Sequence, residues 1–165
     1  MTTTPRSPSN APAVAVRAAT ADDAPALAAL RWEFRASIGE VNEDRGAFLA
    51  RCGEWMRARL GDKGAWRAWV AESGGEAVGN VWLQLMEKMP NPVDEPEVHG
   101  YVTNLYVRDG LRGGGVGARL LAAALETCAE VGVHEAFLWP TPRSRSLYRR
   151  MGFVGDGEVM VWKRE

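Results

Sequence analysis

Four glycines crowd around a single valine at residues 113–117 of this 165-residue chain, within the run VRDGLRGGGVGARLL from Val107 to Leu121. Glycine inside an element costs stability through backbone entropy, so Gly113, Gly114, Gly115 and Gly117 mark a place where something approaches the main chain. Upstream, YVTNLYV (Tyr101 to Val107) is β-branched and aromatic without proline and predicts a strand. Downstream, Val116, Leu120 and Ala124, flanked by Leu121, Leu125 and Cys128, recur at helical spacing. Strand, glycine turn and helix start therefore follow one another. The first N–H groups of a helix lack intrahelical partners, and the macrodipole adds about half a positive charge there. The turn thus predicts an anion site, typically for phosphate, with Arg112 as a fixed cation beside it. A glycine-rich tight turn with no ligand is the plainer alternative.

Spacing separates three kinds of phosphate-binding turn. A P-loop needs Lys and then Ser or Thr after its second glycine, whereas Val116, Gly117 and Ala118 follow Gly115. The dinucleotide fingerprint is matched in letters by Gly113, Gly115 and Ala118. However, residues 108–112 separate it from its strand, and the next strand, AFLWP at 136–140, ends without the acid that would hold a ribose hydroxyl. The third fits. Arg112, Gly115 and Gly117, followed by an amphipathic helix, resemble the pyrophosphate-binding motif of the GCN5-related N-acetyltransferases. SRSLYRRMGF, Ser144 to Phe153, is similar to that family's closing helix with its tyrosine and Gly-Phe. The resemblance covers about residues 66 to 163.

The element order read from the residues is β-α-α-β-β-β-α-β-α-β, an α+β or mixed-sheet domain. Val14 to Arg17 predicts a first strand. Thr20, Asp22 and Asp23 supply N-cap chemistry for a helix with Leu27, Leu30, Phe34 and Ile38 on one face. A second helix over about 43–60 turns Phe48, Cys52, Trp55, Met56 and Leu60 inward. Gly74 and Gly75 join two strands as a hairpin, residues 87–99 with three prolines form a loop, and EVMVWK is the last strand. The resemblance implies the same order, with a mostly antiparallel mixed sheet of roughly six to seven strands, splayed between two parallel ones, and about four helices.

Residues 1–13, rich in Thr, Ser and Pro, predict a disordered arm rather than a signal peptide, and residues 14–165 a single domain. No apolar run reaches membrane length. Cys52 and Cys128 are isolated, without His neighbours, and read as small buried hydrophobes in a reducing cytoplasm rather than a metal site or disulfide. A formal net charge of −1 argues against nucleic acid as a partner. The four arginines at 143–150 read equally as a solvated face or as phosphate contacts.

What the resemblance implies is acetyl transfer from acetyl-CoA to an amine, small-molecule or peptide, by direct attack, without a metal, in a monomer or homodimer. It implies that pantetheine pairs with the strand backbone at Leu105, Tyr106 and Val107. It also implies that pyrophosphate sits on Arg112, Gly113, Gly114, Gly115, Val116, Gly117 and Ala118. A contact the family gives to an asparagine, whose place here is Thr141, is then either weaker or taken over by Ser144. Tyr148 holds the position of the proton donor to the CoA thiolate, a role compatible with packing of its ring. The strand offers no carboxylate as base. His99 is its best-placed titratable group, with a loop histidine as the alternative and Glu97 acting through water as another. Simple alternation puts His99, Tyr101 and Thr103 on one face and Asn104 and Tyr106 on the other. Trp66, Trp69, Trp82 and the loop acids Asp94, Glu95 and Glu97 are candidates to frame a cationic amine, though strand tryptophans pack cores and loop acids are solvated. A non-catalytic acyl-CoA-binding module on the same fold is the competing function, and a nucleotide-cofactor enzyme the third.

Overall fold

The computed structural model describes residues 13–60 and 63–165, so the predicted N-terminal arm lies, except for Ala13, outside the described residues. The elements are β1 (Val14–Ala18), a short 3-10 turn (Ala21–Asp23), α1 (Ala24–Ser37), α2 (Arg45–Leu60), β2 (Trp66–Ser73), β3 (Glu76–Glu87), β4 (Val98–Val107), α3 (Val116–Val131), β5 (Glu135–Leu138), α4 (Arg145–Arg150) and β6 (Met160–Lys163). The six strands form one sheet in sequence order. Every pairing is antiparallel except β4 with β5. This is the expected α+β architecture.

The sheet separates two cores. On one face, Leu120, Leu121, Ala124 and Cys128 of α3 pack on Leu83, Val102 and Val107. On the other, Leu27 and Leu30 of α1 and Met56 of α2 pack on Val70, Trp82 and Tyr106. Most of the helix stripes read from the sequence fill these cores, but Phe48, Ile38 and Trp55 do not, Phe48 packing instead on Trp32 at a cleft. Ile38 and Trp55, expected to face inward, are exposed, because α1 ends before Ile38 and Trp55 sits on the rim of a cleft. The loop expected to reach residue 99 is shorter, since β4 already begins at Val98.

Two irregularities of β4 shape the middle of the molecule. Its partner residues on β3 step from Asn80 to Trp82 while β4 steps from Tyr106 to Thr103, so β4 carries one extra residue. That bulge is centred on Asn104, whose φ is +56°. Asparagine tolerates this left-handed conformation better than most residues. The extra residue flips the side-chain phase. Tyr106 therefore joins the α1–α2 core while Val102 and Val107 face α3, and Tyr101, Thr103 and Asn104 line one cleft together. The simple alternation expected across this strand fails for that reason. The second irregularity is the parting of β4 and β5. Their parallel register stops at Tyr101 opposite Phe137, while β4 runs on to Val107.

Candidate active site

The wedge left where β4 and β5 part is a cleft of about 900 Å³. Leu105, Tyr106 and Val107 of β4 form one wall. The turn into α3 contributes Arg112, Gly113, Gly115, Gly117 and Ala118, and the opposite wall carries Thr141, Ser144, Leu147 and Tyr148. Most residues singled out in the sequence thus meet in one cavity. Gly114 does not line it, and Val116 turns its side chain into the α3 core.

The turn is built from its backbone. Gly115 is the N-cap of α3 with φ +79°, and a β-carbon placed on it would meet nothing within 4 Å. The first intrahelical bond is from the Arg119 N–H to the Gly115 carbonyl at 3.1 Å, and no side chain caps the helix. The N–H groups of residues 116–118 therefore have no intrahelical acceptor. At Gly117 a β-carbon would make only ordinary contact, 3.4 Å from Leu147. Packing among the described residues does not demand glycine there. An open glycine cradle before an uncapped helix fits a pyrophosphate.

Arg112 is held beside the cradle. Its Nε donates to the Val107 carbonyl at 2.9 Å and lies 3.3 Å from the Asp109 carboxylate, and its guanidinium sits 5.6 Å from the Tyr106 ring centre. Among the described residues its two terminal nitrogens make no hydrogen bond, which leaves them for an anion. The Val107 carbonyl is therefore already engaged. Asn104 and Leu105 have no register partner on β3, and β5 ends without reaching them, so an incoming extended chain meets unpaired backbone at the bulge.

Tyr148 lines the cleft with its residue only 6% exposed, and its ring is 5.7 Å from that of Phe153. Burial pushes its phenol up to about 12, opposed only by the neighbouring Ser144 hydroxyl. The phenol therefore keeps its proton at neutral pH. Ser144 ties down the start of α4, its hydroxyl accepting from the Thr141 N–H at 2.9 Å and donating to the Thr141 carbonyl at 3.0 Å. Thr141, in the place of the family's asparagine, and Ser144, its expected replacement, thus sit in a single turn.

His99 is not brought to this cleft. It lies opposite Met86 at the start of β4 and lines neither this cleft nor the one beneath α2. At a rise of about 3.3 Å per residue it is roughly 15–20 Å from Leu105. The loop acids are also elsewhere: Glu95 is held by Lys88 at 2.5 Å and Asn91 at 2.6 Å, and neither Asp94 nor Glu97 lines a cleft. Trp69 packs in the core under α3.

A second cleft, of about 680 Å³, opens between α2 and the sheet on the other side of the bulge. Arg31, Phe48, Trp55, Trp66, Trp82 and Tyr101 shape it, and Thr103 and Asn104 form its edge toward Leu105. Only Trp66 and Trp82 were candidates from the sequence. The one local signal for the rest is Asn104, a polar, turn-favouring residue inside a strand run.

Comparison with known proteins agrees with this geometry. The pattern described as "Acetyltransferase (GNAT) family" matches residues 27–153. The chain belongs to the GNAT acetyltransferase family. A Mycobacterium tuberculosis protein named "Probable N-acetyltransferase Rv2775" is 28% identical over 104 residues, covering 61% of this chain and 54% of that protein. The chain thus spans about half the length of that curated GNAT relative. A "GCN5-related N-acetyltransferase" from Ralstonia eutropha superposes with a TM-score of 0.75 at 28% identity, covering 88% of this chain and 95% of that one. A "predicted acetyltransferase with acetyl-CoA" from Clostridium acetobutylicum gives a TM-score of 0.76 at 21% identity over 93% and 96% of the two chains. The GNAT fold is thus shared across distant sequences. Among the described residues, no group of His, Cys, Asp and Glu could hold a metal, and no helix is long and apolar enough to cross a membrane.

Proposed function

We propose that this protein transfers an acetyl group from acetyl-CoA to an amine, and that the acetyl group is passed directly at the β4 bulge. The observation that carries the reading is the single cleft that unites the uncapped glycine turn, the unpaired backbone of Leu105 and the buried phenol of Tyr148. Acetyl-CoA, when bound, supplies an activated thioester. The N–H groups at 116–118 and the Arg112 guanidinium bind its pyrophosphate. The backbone at Leu105 orients the pantetheine arm as an added strand would. Tyr148, still protonated, hydrogen-bonds the departing sulfur and gives it a proton. β4 carries no carboxylate, the carboxylates of the two clefts being Asp109 and Glu54, and the amine's proton leaves to water. The acceptor is a small-molecule or peptide amine, and the free thiols of Cys52 and Cys128 suit a cytoplasmic setting.

Titration of the protein with acetyl-CoA by calorimetry, followed by thiol release across an amine panel, tests this. The expected outcome is saturable binding and amine-dependent CoA release. Absence of binding overturns the reading, and binding without acetylation of any amine makes the protein an acyl-CoA-binding module.

A further inference from the structure

The second cleft contains a half-buried arginine with no acid partner and a buried donor with no acceptor among the described residues. Trp82 is 2% exposed and lines the cleft, yet its indole N–H has no hydrogen-bond partner among the described residues. Buried donors are satisfied in nearly all proteins, so such a group calls for an explanation. Arg31, half-buried in the same cleft, gives one hydrogen bond, to the Asn104 side-chain oxygen at 3.2 Å, and no described carboxylate lies within 4 Å of it. Arg17, Arg51 and Arg108 are all paired with acids. Around Arg31 the neighbouring charge is the like-signed Arg35, and burial together with that charge lowers its pKa.

We propose that this cleft binds the acceptor as an aromatic α-amino acid, with Arg31 and the Trp82 indole N–H holding its carboxylate. The inference rests on the acetyltransferase reading of the adjoining cleft. The charge on offer indicates the anion. Arg51 is paired with Glu43, and Arg59 lies 3.9 Å over the Trp55 ring and donates to the Trp55 carbonyl. Glu54 is the carboxylate of the cleft, and Arg31 is the cation that is bonded at the bulge, where its planar fork suits a monoanionic carboxylate better than a phosphate. The walls indicate the body of the ligand. Trp55, Trp66 and Trp82 surround one another at 5.1, 5.9 and 6.1 Å between ring centres, a surface for a planar apolar group.

The position of Arg31 sets the spacing between amine and carboxylate. It is bonded to Asn104, the bulge residue where the two clefts meet. A carboxylate held there lies beside the point at which the amine must meet the acyl carbon. Amine and carboxylate therefore belong on one carbon, and the ring extends away toward the tryptophans. In the reaction the amine nitrogen forms the bond to the acyl carbon as the carbon–sulfur bond breaks. The nitrogen's proton passes to water, the sulfur takes one from Tyr148, and the phenolate regains a proton from solvent, which restores the tyrosine.

The test compares kcat/KM for L-phenylalanine, phenethylamine and L-alanine, so that carboxylate and ring are removed in turn. Phenylalanine is expected to exceed phenethylamine by roughly 10- to 150-fold, the range for a hydrogen bond to a charged group, and to exceed alanine as well. Arg31→Met is expected to erase the preference over phenethylamine, and Arg31→Lys to keep part of it. Calorimetry with N-acetyl-L-phenylalanine gives a readout independent of turnover: binding to the wild type, lost in Arg31→Met. Equal use of phenethylamine, or a preference that survives Arg31→Met, overturns the inference. So does acetyl-CoA binding without acetylation of, or affinity for, the carboxylated compounds, while failure to bind acetyl-CoA overturns the acetyltransferase reading instead.

Discussion

The two clefts that meet at Asn104 are built in different ways. The wedge beside β5 is lined by backbone: a left-handed glycine, uncapped helix N–H groups and an unpaired strand edge. The cleft beneath α2 is lined by side chains, aromatic and basic, from α1, α2 and three strands. A backbone site recognises what every use of a cofactor has in common, here a pyrophosphate and an amide-bearing arm. A side-chain site can change its preference by substitution without disturbing the other. The two clefts therefore predict separable phenotypes.

The largest effect falls on the wedge. Gly115→Val should lower acetyl-CoA affinity by about 100- to 10,000-fold, the loss of two charge-assisted hydrogen bonds. Because φ there is +79°, valine also strains the turn by about 1–2 kcal/mol. Gly115→Asn removes that ambiguity, since asparagine accepts the conformation while its side chain still fills the cradle. Calorimetry should show both variants failing to bind acetyl-CoA, with the Asn variant melting close to wild type. An Asn variant that binds normally would break the assignment of this turn to the phosphates.

Next in size is the effect at Tyr148, the proposed proton donor. Tyr148→Phe should lower kcat by roughly 10²- to 10³-fold with acetyl-CoA affinity nearly unchanged. The buried phenol, pushed up to about 12 from an ordinary 10, stays protonated through pH 10. Steady-state kinetics should therefore show no alkaline decline from this group up to that pH. A decline centred at 10 that disappears in the Phe variant would show that the ring is better solvated than its burial implies.

Arg112→Ala should weaken acetyl-CoA by roughly 10- to 150-fold and leave a pantetheine fragment lacking the pyrophosphate unaffected. Equal losses for both ligands would mean that the arginine acts by engaging the Val107 carbonyl rather than the phosphates. The smallest effect belongs to the other cleft. Trp55→Leu should raise the KM of an aromatic acceptor about 2- to 10-fold, as expected for one aromatic pair, with acetyl-CoA affinity unchanged by calorimetry. A parallel loss of acetyl-CoA binding would show that the clefts are not independent.

The difference between the clefts also explains what could be read in advance. The wedge was legible because its parts are consecutive: strand, glycines and helix start occupy residues 101–131, and Tyr148 follows on the next helix. His99 misled because alternation along a strand gives a face and not a position along the sheet. Residues 99 and 105 belong to one strand but to opposite ends of it. The same alternation misplaced Tyr106, since a bulge at Asn104 shifts the phase and a bulge is a property of two paired strands.

The sequence by itself determined the order of elements, most of the inward faces of the helices and the open glycine turn before α3. Each of these depends on interactions within a few residues, where periodicity and the glycine backbone are enough. Only the tertiary structure decided the cleft beneath α2. Its edge is made by a hydrogen bond between Arg31 and Asn104, 73 residues apart, and its walls by rings from α2, β2 and β3. No local pattern encodes which distant side chains a bulged strand will face once two helices have closed over it.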